Sequence, residues 1–263
     1  MKIIDCHQHA PDEGGLEARV EACARAGVVK AVLLGLPESR VPGNNAAALA
    51  ASRAHPELFI PFYGGEMDAT TPDDVTRARD EGFAGLKFIA PKRAYNDPGY
   101  FPLYARAAEL GMPALFHLGI IANTPGWTDV DSNLMRAIHL DHIARNFPEL
   151  RVFGAHFGNP WSDEAAMSCR WNPNLFFDLS GSLLKYRKPS YLGDLLWWKA
   201  EGSYAPPDGR GAWEKIVFGS DVESDQIADM VNDYTKLMDA LDLSPELRKA
   251  IRYGTAARVL GIG

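Results

Sequence analysis

The protein has 263 residues, of which 46% are hydrophobic and 23% are charged, and its formal net charge is -7. A chain of this length can bury a large core, and α/β barrels of this size commonly form one domain, so we expect a single domain spanning residues 1–263. The acidic charge, without a Lys or Arg run, argues against nucleic acid or an anionic membrane surface as a partner. The apolar runs are too short to cross a bilayer.

The cysteines favour a reduced, intracellular protein. Cys6, Cys23 and Cys169 are scattered along the chain and form no Cys-x-x-Cys pair,. The first strand-like run begins at residue 2, so we expect no cleavable leader before it. We therefore expect a cytoplasmic protein that acts on a small-molecule substrate, with a homodimer left open as its assembly.

Apolar strand-like runs alternate with amphipathic helical stretches along the first half of the chain. Gly27 is expected to end the first helix, Asn44 to cap the second, and Thr71 to cap a third that starts at Pro72. The predicted order is strand 2–9, helix 13–26, strand 30–35, helix 44–55, strand 58–63, a helix from residue 72 and strand 83–88.

The second half repeats this alternation. Its predicted order is helix 102–110, strand 113–117, helix 131–147, strand 151–156, strand 175–179, a Trp- and Tyr-bearing segment 182–213, strand 215–221 and two closing helices. Eight strand-helix units in series, with continuous apolar strands, predict an α/β fold of the (β/α)8 TIM-barrel type.

Polar side chains fall at or near the carboxyl ends of the predicted strands. They are His7, His9, Lys87, His117, His156 and Asp221. In a barrel these ends converge on one mouth, where active sites form. His7 and His9 are two residues apart and leave the same face of a strand, roughly 6.6 Å apart along the backbone, which lets both reach one metal ion. In isolation such a pair is equally consistent with surface or hydrogen-bonded core histidines.

Two further histidines, His139 and His142, lie on a predicted outer helix. Their spacing would allow a metal ion on one helix face. We expect instead that they are ordinary surface or capping residues.

Five motifs along the chain point to a family. They are Ile4-Asp5-Cys6-His7-Gln8-His9, Gly85-Leu86-Lys87-Phe88, Phe116-His117-Leu118-Gly119, Gly154-Ala155-His156-Phe157-Gly158 and Phe218-Gly219-Ser220-Asp221. In this order they resemble the amidohydrolase superfamily, and most of all the amidohydrolase-related branch that includes aminocarboxymuconate semialdehyde decarboxylase, lactonases and hydratases. The chain departs from that branch at Thr255, where Asn is usual, and at Glu223, where Pro is frequent. These departures concern the substrate rather than the metal.

The resemblance, together with the donor chemistry, implies one divalent ion, Zn²⁺ for preference and Mn²⁺ as the alternative. The implied ligands are His7, His9, His117 and Asp221, with a remaining position for a water whose pKa falls to roughly 7. His156 is then the implied general base or acid, and Asp221 is counted with it as catalytic. In the alternative arrangement His156 binds a second metal ion that a carbamylated Lys87 bridges. Lys87 could also be a buried charge paired with a carboxylate.

Several residues of the predicted mouth loops are candidates for substrate contacts. The cations would suit a carboxylate-bearing substrate, although each could equally be a solvated surface charge. The aromatic residues could line a pocket or simply pack. The candidates are Lys92, Arg93, Trp127, Asn159 and Arg187, and the same argument extends to Trp161, Arg170, Lys185, Tyr186, Trp197 and Trp198.

The sequence therefore predicts a metal-dependent hydrolase that acts on a small, carboxylate-bearing lactone, ester or amide. A non-oxidative decarboxylase or hydratase is the main alternative, because fold and ligands would be shared. A non-catalytic metal-binding barrel is a third. Against it stands His156, since a scaffold has no need of a histidine that is not a ligand.

Overall fold

The computed structural model of the chain describes residues 2–11, 14–122 and 126–262. Seven parallel strands form one curled sheet in which each strand pairs with the next along the chain. They are β1 Ile3–His9, β2 Val28–Leu34, β3 Phe59–Gly65, β4 Gly85–Phe88, β5 Ala114–Phe116, β6 Val152–Gly154 and β7 Leu175–Phe177. Helices alternate with the strands, so the predicted TIM-barrel class is confirmed. The single-domain organisation stays a prediction.

The helices surround this sheet. They are α1 Leu16–Ala26, α2 Asn44–Ala54, α3 Pro72–Glu81, α4 Phe101–Glu109, α5 Ala137–Asn146, α6 Ser162–Trp171, α7 Ser182–Tyr186, α8 Pro189–Leu195, α9 Ile227–Ala240, α10 Pro245–Lys249 and α11 Thr255–Leu260. Along the described ranges none of the helices is long and apolar enough to span a bilayer.

The predicted helix caps have mixed outcomes. Thr71 and Asp74 form a capping box at α3, as expected for a Thr followed by Pro at the first turn,. Gly27 ends α1 in a left-handed conformation with φ 78°,. The prediction that Asn44 caps α2 was wrong. Asn44 is the first residue of the helix, and Gly43 occupies the cap position with φ 79°. The expected start of α1 at Glu13 lies outside the described residues.

The eighth predicted strand does not form as a regular strand. A short 3-10 turn over Ala212–Lys215 occupies its expected start, and Asp221 adopts φ 48°, which turns the chain out of an extended path,. The segment still closes the sheet, because the Val217 amide donates to the Phe177 carbonyl and the Cys6 amide donates to the Phe218 carbonyl, both at 2.9 Å. Residues 216–221 therefore lie between β7 and β1 without completing an eighth strand.

Several other elements are also shorter than predicted, among them β6 and α5. β6 ends at Gly154 instead of reaching His156, because His156 and Phe157 adopt left-handed conformations with φ 56° and 46°. α5 begins at Ala137 instead of residue 131, because Ser132–Met135 form a separate 3-10 turn. The strand at β6 therefore gives way to a tight turn that carries His156.

Apolar side chains fill the inside of the barrel below the strand ends. Ile4, Val32, Phe62, Phe153 and Val217 belong to one buried cluster. Ala256 and Val259 of α11 join the same cluster, so the last helix covers the opposite end. A barrel with a filled interior leaves the carboxyl ends of its strands as the place for polar side chains.

Candidate metal-binding active site

The two histidines of β1 converge on one carboxylate. His7 Nε2 lies 3.4 Å and His9 Nε2 lies 3.3 Å from Asp221 Oδ1. His7 is fully buried, whereas His9 is partly exposed. His7 and His9 therefore lie on the same side, as their spacing predicted. Asp221, which is far from them in the sequence, contacts both.

A break in the pairing of β1 makes room for this arrangement. The register with β2 shifts between Asp5 and Gln8, and such bulges re-aim side chains next to active sites. Cys6 belongs to the interior cluster, and Gln8 contacts Cys23 of α1. In a regular strand His7 would point to the opposite face from its neighbour Cys6. The register shift instead lets His7 face the mouth of the barrel.

Asp221 is held in place by its backbone. Its amide donates to the His7 carbonyl at 2.7 Å, and its left-handed φ is a strained conformation for a non-glycine residue, of the kind that clusters at functional sites. Gly219, two residues earlier, lets its backbone approach Asp178 closely, since a Cβ at this position would lie 2.8 Å from Asp178 Cβ. Burial raises the pKa of Asp221, but His7 and His9 outweigh it and hold that pKa well below its usual range.

His156 approaches the same carboxylate from the turn after β6. Its Nε2 lies 3.6 Å from Asp221 Oδ2, and its Nδ1 lies 2.9 Å from Ser180 Oγ. The imidazole ring centres of His7 and His117 lie 5.1 and 4.9 Å from that of His156. The left-handed turn therefore brings His156 among the predicted metal ligands, although it is not on a strand.

Lys87, which is buried, and His117, which is partly buried, lie at the same end of the barrel. Neither His117 Nε2 nor Lys87 Nζ has a hydrogen-bond partner within the described part of the chain. Burial, with the nearby His156 and Lys87, holds the pKa of His117 well below its usual value. Burial also lowers the pKa of Lys87 to about 8. Lys87 Nζ has no hydrogen-bond partner among residues 2–11, 14–122 and 126–262, although Asp221 and Asp178 raise its pKa against the effect of burial. Its interpretation as a buried charge paired with a carboxylate stays a prediction.

These side chains fit a divalent metal ion. One ligand atom each from His7, His156 and Asp221 lie within 4.8 Å of one another. His7 Nε2 and His117 Nε2 are buried nitrogen atoms that lack a hydrogen-bond partner in the described structure, and buried polar atoms are otherwise nearly always satisfied. Burial lowers the pKa of His7 to about 4, which keeps the ring neutral, the form that binds metal.

Asp178 was not among the site residues predicted from the sequence. This residue directly follows β7 and is buried, and its Oδ2 lies 2.9 Å from His7 Nδ1. Its Oδ1 accepts hydrogen bonds from the His156 amide and from Ser180. Burial raises the pKa of Asp178, but His7 outweighs it, and the net pKa lies below the usual value. A carboxylate at the carboxyl end of a predicted strand was the signal that could have identified it.

A cavity of about 370 Å³ adjoins the cluster. Its polar lining consists of His9, His117, His156, Asn159, Ser182 and Asp221. Its remaining lining is apolar, from Leu36, Ile89, Leu118, Ile120, Ile121, Ala122, Trp127 and Gly181. The structure therefore places Trp127 and Asn159 where a substrate could touch them, and among the described lining residues there is no Lys or Arg.

The three cations expected to contact the substrate, Lys92, Arg93 and Arg187, do not belong to the described lining of this cavity, and their role stays a prediction. Lys92 pairs with Asp129, and Arg93 pairs with Asp97 at 2.7 Å. Arg187 is exposed and lies over the Tyr191 ring at 5.6 Å. Lys92 is occupied by Asp129 of the loop after β5, Arg93 by Asp97 of its own loop, and Arg187 packs on Tyr191 of α8. None of the three belongs to the described lining of the cavity.

The other loop candidates pack away from the cavity too. Arg170 lies in α6 with its guanidinium against Trp171 and Trp197 at 4.5 and 4.7 Å. Trp161 lies against Arg136, and Trp198 is buried in the core. Lys185 and Tyr186 are exposed. Packing is therefore the outcome for Arg170, Trp161, Trp197 and Trp198 only.

The outer-helix histidines do not form a metal site in the described structure. His139 Nε2 bonds the Asn133 carbonyl at 3.0 Å. The His142 ring contacts the Phe101 ring, with centres 5.7 Å apart. Each is engaged separately, as expected.

Known proteins resemble the chain over its full length. The sequence model of the Amidohydrolase family matches residues 4–262. No curated protein matches the chain. Among solved structures, an uncharacterised TIM-barrel protein from Bordetella bronchiseptica has 22% identity and a TM-score of 0.75, with 99% of each chain covered.

Two further solved structures have similar folds. A probable 2-pyrone-4,6-dicarboxylic acid hydrolase from Acinetobacter baumannii, with citric acid bound, has 15% identity and a TM-score of 0.66, with 100% of each chain covered. A 2,6-dihydroxybenzoate decarboxylase from Rhizobium has 13% identity and a TM-score of 0.69, with 99% of each chain covered. Similarity at these identities shows the shared fold.

Proposed function

The chain belongs to the amidohydrolase family, and we propose that it is a metal-dependent hydrolase of small, largely apolar lactones, esters or amides. The observation that carries this proposal is the position of His156 Nε2, which lies 3.6 Å from Asp221 Oδ2 at the edge of the cavity. A base at that position can serve a water that attacks a carbonyl group in the cavity.

The proposed ligands of a single ion are His7, His9, His117 and Asp221. Within the described ranges the group of three side chains close enough to hold a metal ion is His7, His156 and Asp221, so it shares two members with this set and also contains the proposed base. When bound, a divalent ion would acidify a water molecule and polarise the substrate carbonyl. Zn²⁺ suits the three nitrogen donors and one carboxylate, and Mn²⁺ is the alternative.

His156 moves the proton in this proposal. Its Nε2 accepts a proton as the water oxygen forms a bond to the carbonyl carbon. It then returns that proton to the leaving oxygen or nitrogen as the scissile bond breaks. The Asp221 carboxylate, 3.6 Å away, stabilises the charge that the His156 ring carries between these steps,.

The cavity lining supports a substrate with little charge away from the reacting group. Apolar side chains, including Ile89, Ile120 and Trp127, form most of the lining. A carboxylate remote from the metal would find no cation among the described lining residues to pair with. We therefore replace the expected carboxylate-bearing substrate with a neutral one.

A decarboxylase of aromatic acids is the second candidate, and the same lining favours it. A flat ring would contact the side of the cavity that includes Trp127, and its only carboxylate would lie at the metal site,. His156 would then donate a proton to the ring carbon as the bond to the departing CO₂ breaks.

Labelled water distinguishes the two reactions. The metal-loaded protein is incubated in H₂¹⁸O with neutral aryl esters, lactones and amides, and in parallel with aromatic carboxylic acids. Hydrolysis predicts one ¹⁸O in the carboxylate product, and loss of activity with chelator. Metal-dependent CO₂ release from the acids, with no ester, lactone or amide cleaved, would replace the hydrolase assignment with the lyase.

A further inference from the structure

Asp178 connects two histidines to which the proposed function gives different tasks. One of its oxygen atoms, Oδ2, accepts a hydrogen bond from His7 Nδ1 at 2.9 Å. The other, Oδ1, accepts from the Ser180 hydroxyl at 2.5 Å and from the His156 amide at 3.0 Å. Asp178 and Ser180 are both buried, so water does not compete for these bonds.

The hydrogen bonds of Ser180 determine which nitrogen of the His156 ring carries the hydrogen. The Ser180 hydroxyl has one hydrogen, and it is donated to Asp178,. Towards His156 Nδ1, at 2.9 Å, the same hydroxyl oxygen can therefore only accept. Nδ1 then carries the hydrogen, and Nε2, the atom beside Asp221, keeps its lone pair.

The tautomer of His7 is determined in the same way. A carboxylate oxygen can only accept, so His7 Nδ1 carries a hydrogen towards Asp178,. His7 Nε2 is left with its lone pair, is buried, and has no hydrogen-bond partner in the described structure. That is the form a metal-binding imidazole needs, and a carboxylate behind such a ring commonly orients it.

We propose that Asp178 is a positioning residue that sets the tautomers of both the metal ligand His7 and the base His156, the latter through Ser180. The assignment of these two tasks rests on the proposed function, whereas the tautomers do not. Asp178 thereby couples metal affinity to base strength, and Ser180 acts on the base alone.

Substitutions can separate the contact of Asp178 with His7 from its link through Ser180 to His156. Ser180→Ala removes the link to His156 and leaves the contact of Asp178 with His7, so kcat is expected to fall about 10-fold with Zn²⁺ affinity unchanged. Ser180→Thr keeps a hydroxyl and is expected to restore kcat. Asp178→Asn disturbs both rings, and it is expected to weaken Zn²⁺ binding about 10- to 100-fold and to lower kcat as well.

Two measurements on the protein need no substrate. ¹⁵N NMR of histidine in the metal-free protein reports which ring nitrogen carries the hydrogen, and competition with a chelator reports Zn²⁺ affinity. The wild type is expected to show the Nδ1–H form for His7 and His156. Ser180→Ala should change His156 only, and Asp178→Asn should change both.

Ser220→Ala is the matched control, because Ser220 is an equally buried serine whose hydroxyl contacts the His7 carbonyl and no imidazole. It should leave both tautomers as in the wild type. An unchanged His156 tautomer in folded Ser180→Ala, or unchanged Zn²⁺ affinity in folded Asp178→Asn, would overturn the proposal. If these results hold while no hydrolysis is found, the proposed function fails and the positioning role stands.

Discussion

The floor and the rim of the cavity are held together by different interactions. The floor, formed by His7, His156, Asp178 and Asp221, is centred on the buried hydrogen bond between His7 and Asp178, whose side chains are 1% and 2% exposed. The rim is Trp127, which lines the cavity, together with Arg40, Lys92 and Asp129 behind it. The three charged residues are tied by ion pairs, and the side chains of Lys92 and Asp129 are 53% and 50% exposed.

The difference has a consequence for function. Exposed ion pairs contribute about 0–1 kcal/mol each and are screened by salt, so the rim can rearrange at low cost. A buried hydrogen-bonded network is costly to leave half satisfied, so the floor has one arrangement. We expect floor substitutions to lower kcat and rim substitutions to change KM.

The largest expected effect is that of His156→Ala. Removing the base should lower kcat at least 10²-fold and leave KM within about threefold. Steady-state kinetics on the best ester or lactone checks this, with His139→Ala on the outer helix as the control that keeps full activity. A kcat within threefold of the wild type would show that His156 is not the base.

Lys87 offers a test of the floor that does not depend on substrate. Its pKa is lowered to about 8 in the fold by burial, against a usual 10.5, so between pH 8 and 10.5 the unfolded chain binds more protons and this contribution to stability rises with pH. Below pH 8 the full penalty of burying the charge is present. Lys87→Met should remove that penalty.

The measurement for Lys87 is urea unfolding in the presence of chelator, at pH 7.5 to 10.5. Lys87→Met should be more stable than the wild type at pH 7.5, and the difference should shrink by up to about 1.4 kcal/mol per pH unit above pH 8. A difference independent of pH would mean that folding does not lower the pKa of Lys87, as for a paired charge.

Trp127→Ala tests the rim. The loss of its apolar surface from the cavity lining should raise KM for an aryl ester about 10-fold, since each 1.4 kcal/mol of lost contact is tenfold,. The expected change in kcat is less than threefold. Trp197→Ala, at a tryptophan that packs on Arg170, is the control. If Trp127→Ala lowered kcat by as much as it raised KM, the rim and the floor would not have separate roles.

The smallest expected effects are those of the exposed cations. Lys92→Ala, Arg93→Ala and Arg187→Ala should each change KM by less than about threefold, because the first two are neutralised by Asp129 and Asp97 and the third packs on Tyr191. Neutral and carboxylate-bearing substrates are compared in parallel. A 10-fold rise in KM for the carboxylate-bearing ones alone would restore the carboxylate hypothesis.

The positions of the floor residues could be predicted because they follow from order along the chain. Apolar strands that end in His7, His9, His117 or Asp221 converge once the barrel is assumed, whatever the loops do. Asp178 obeyed the same rule at the end of β7 and was overlooked because it belonged to no recognised motif.

The remaining errors have a common physical cause. The left-handed backbone at His156 and Asp221 is imposed by tertiary contacts and has no local sequence signal, so β6 was predicted too long and an eighth strand was expected. The partners of loop cations are set by loops elsewhere in the chain, as Arg93 shows with Asp68 at 3.6 Å. A charge count could not reveal that these cations were already paired.

The metal content of the purified protein tests the floor most directly. Elemental analysis of protein prepared without chelators should find about one divalent ion per chain in the wild type and in His156→Ala, and clearly less in His9→Ala and His117→Ala. No metal in the wild type would contradict the proposed site, and two ions per chain with loss of metal in His156→Ala would make His156 a ligand of a second ion.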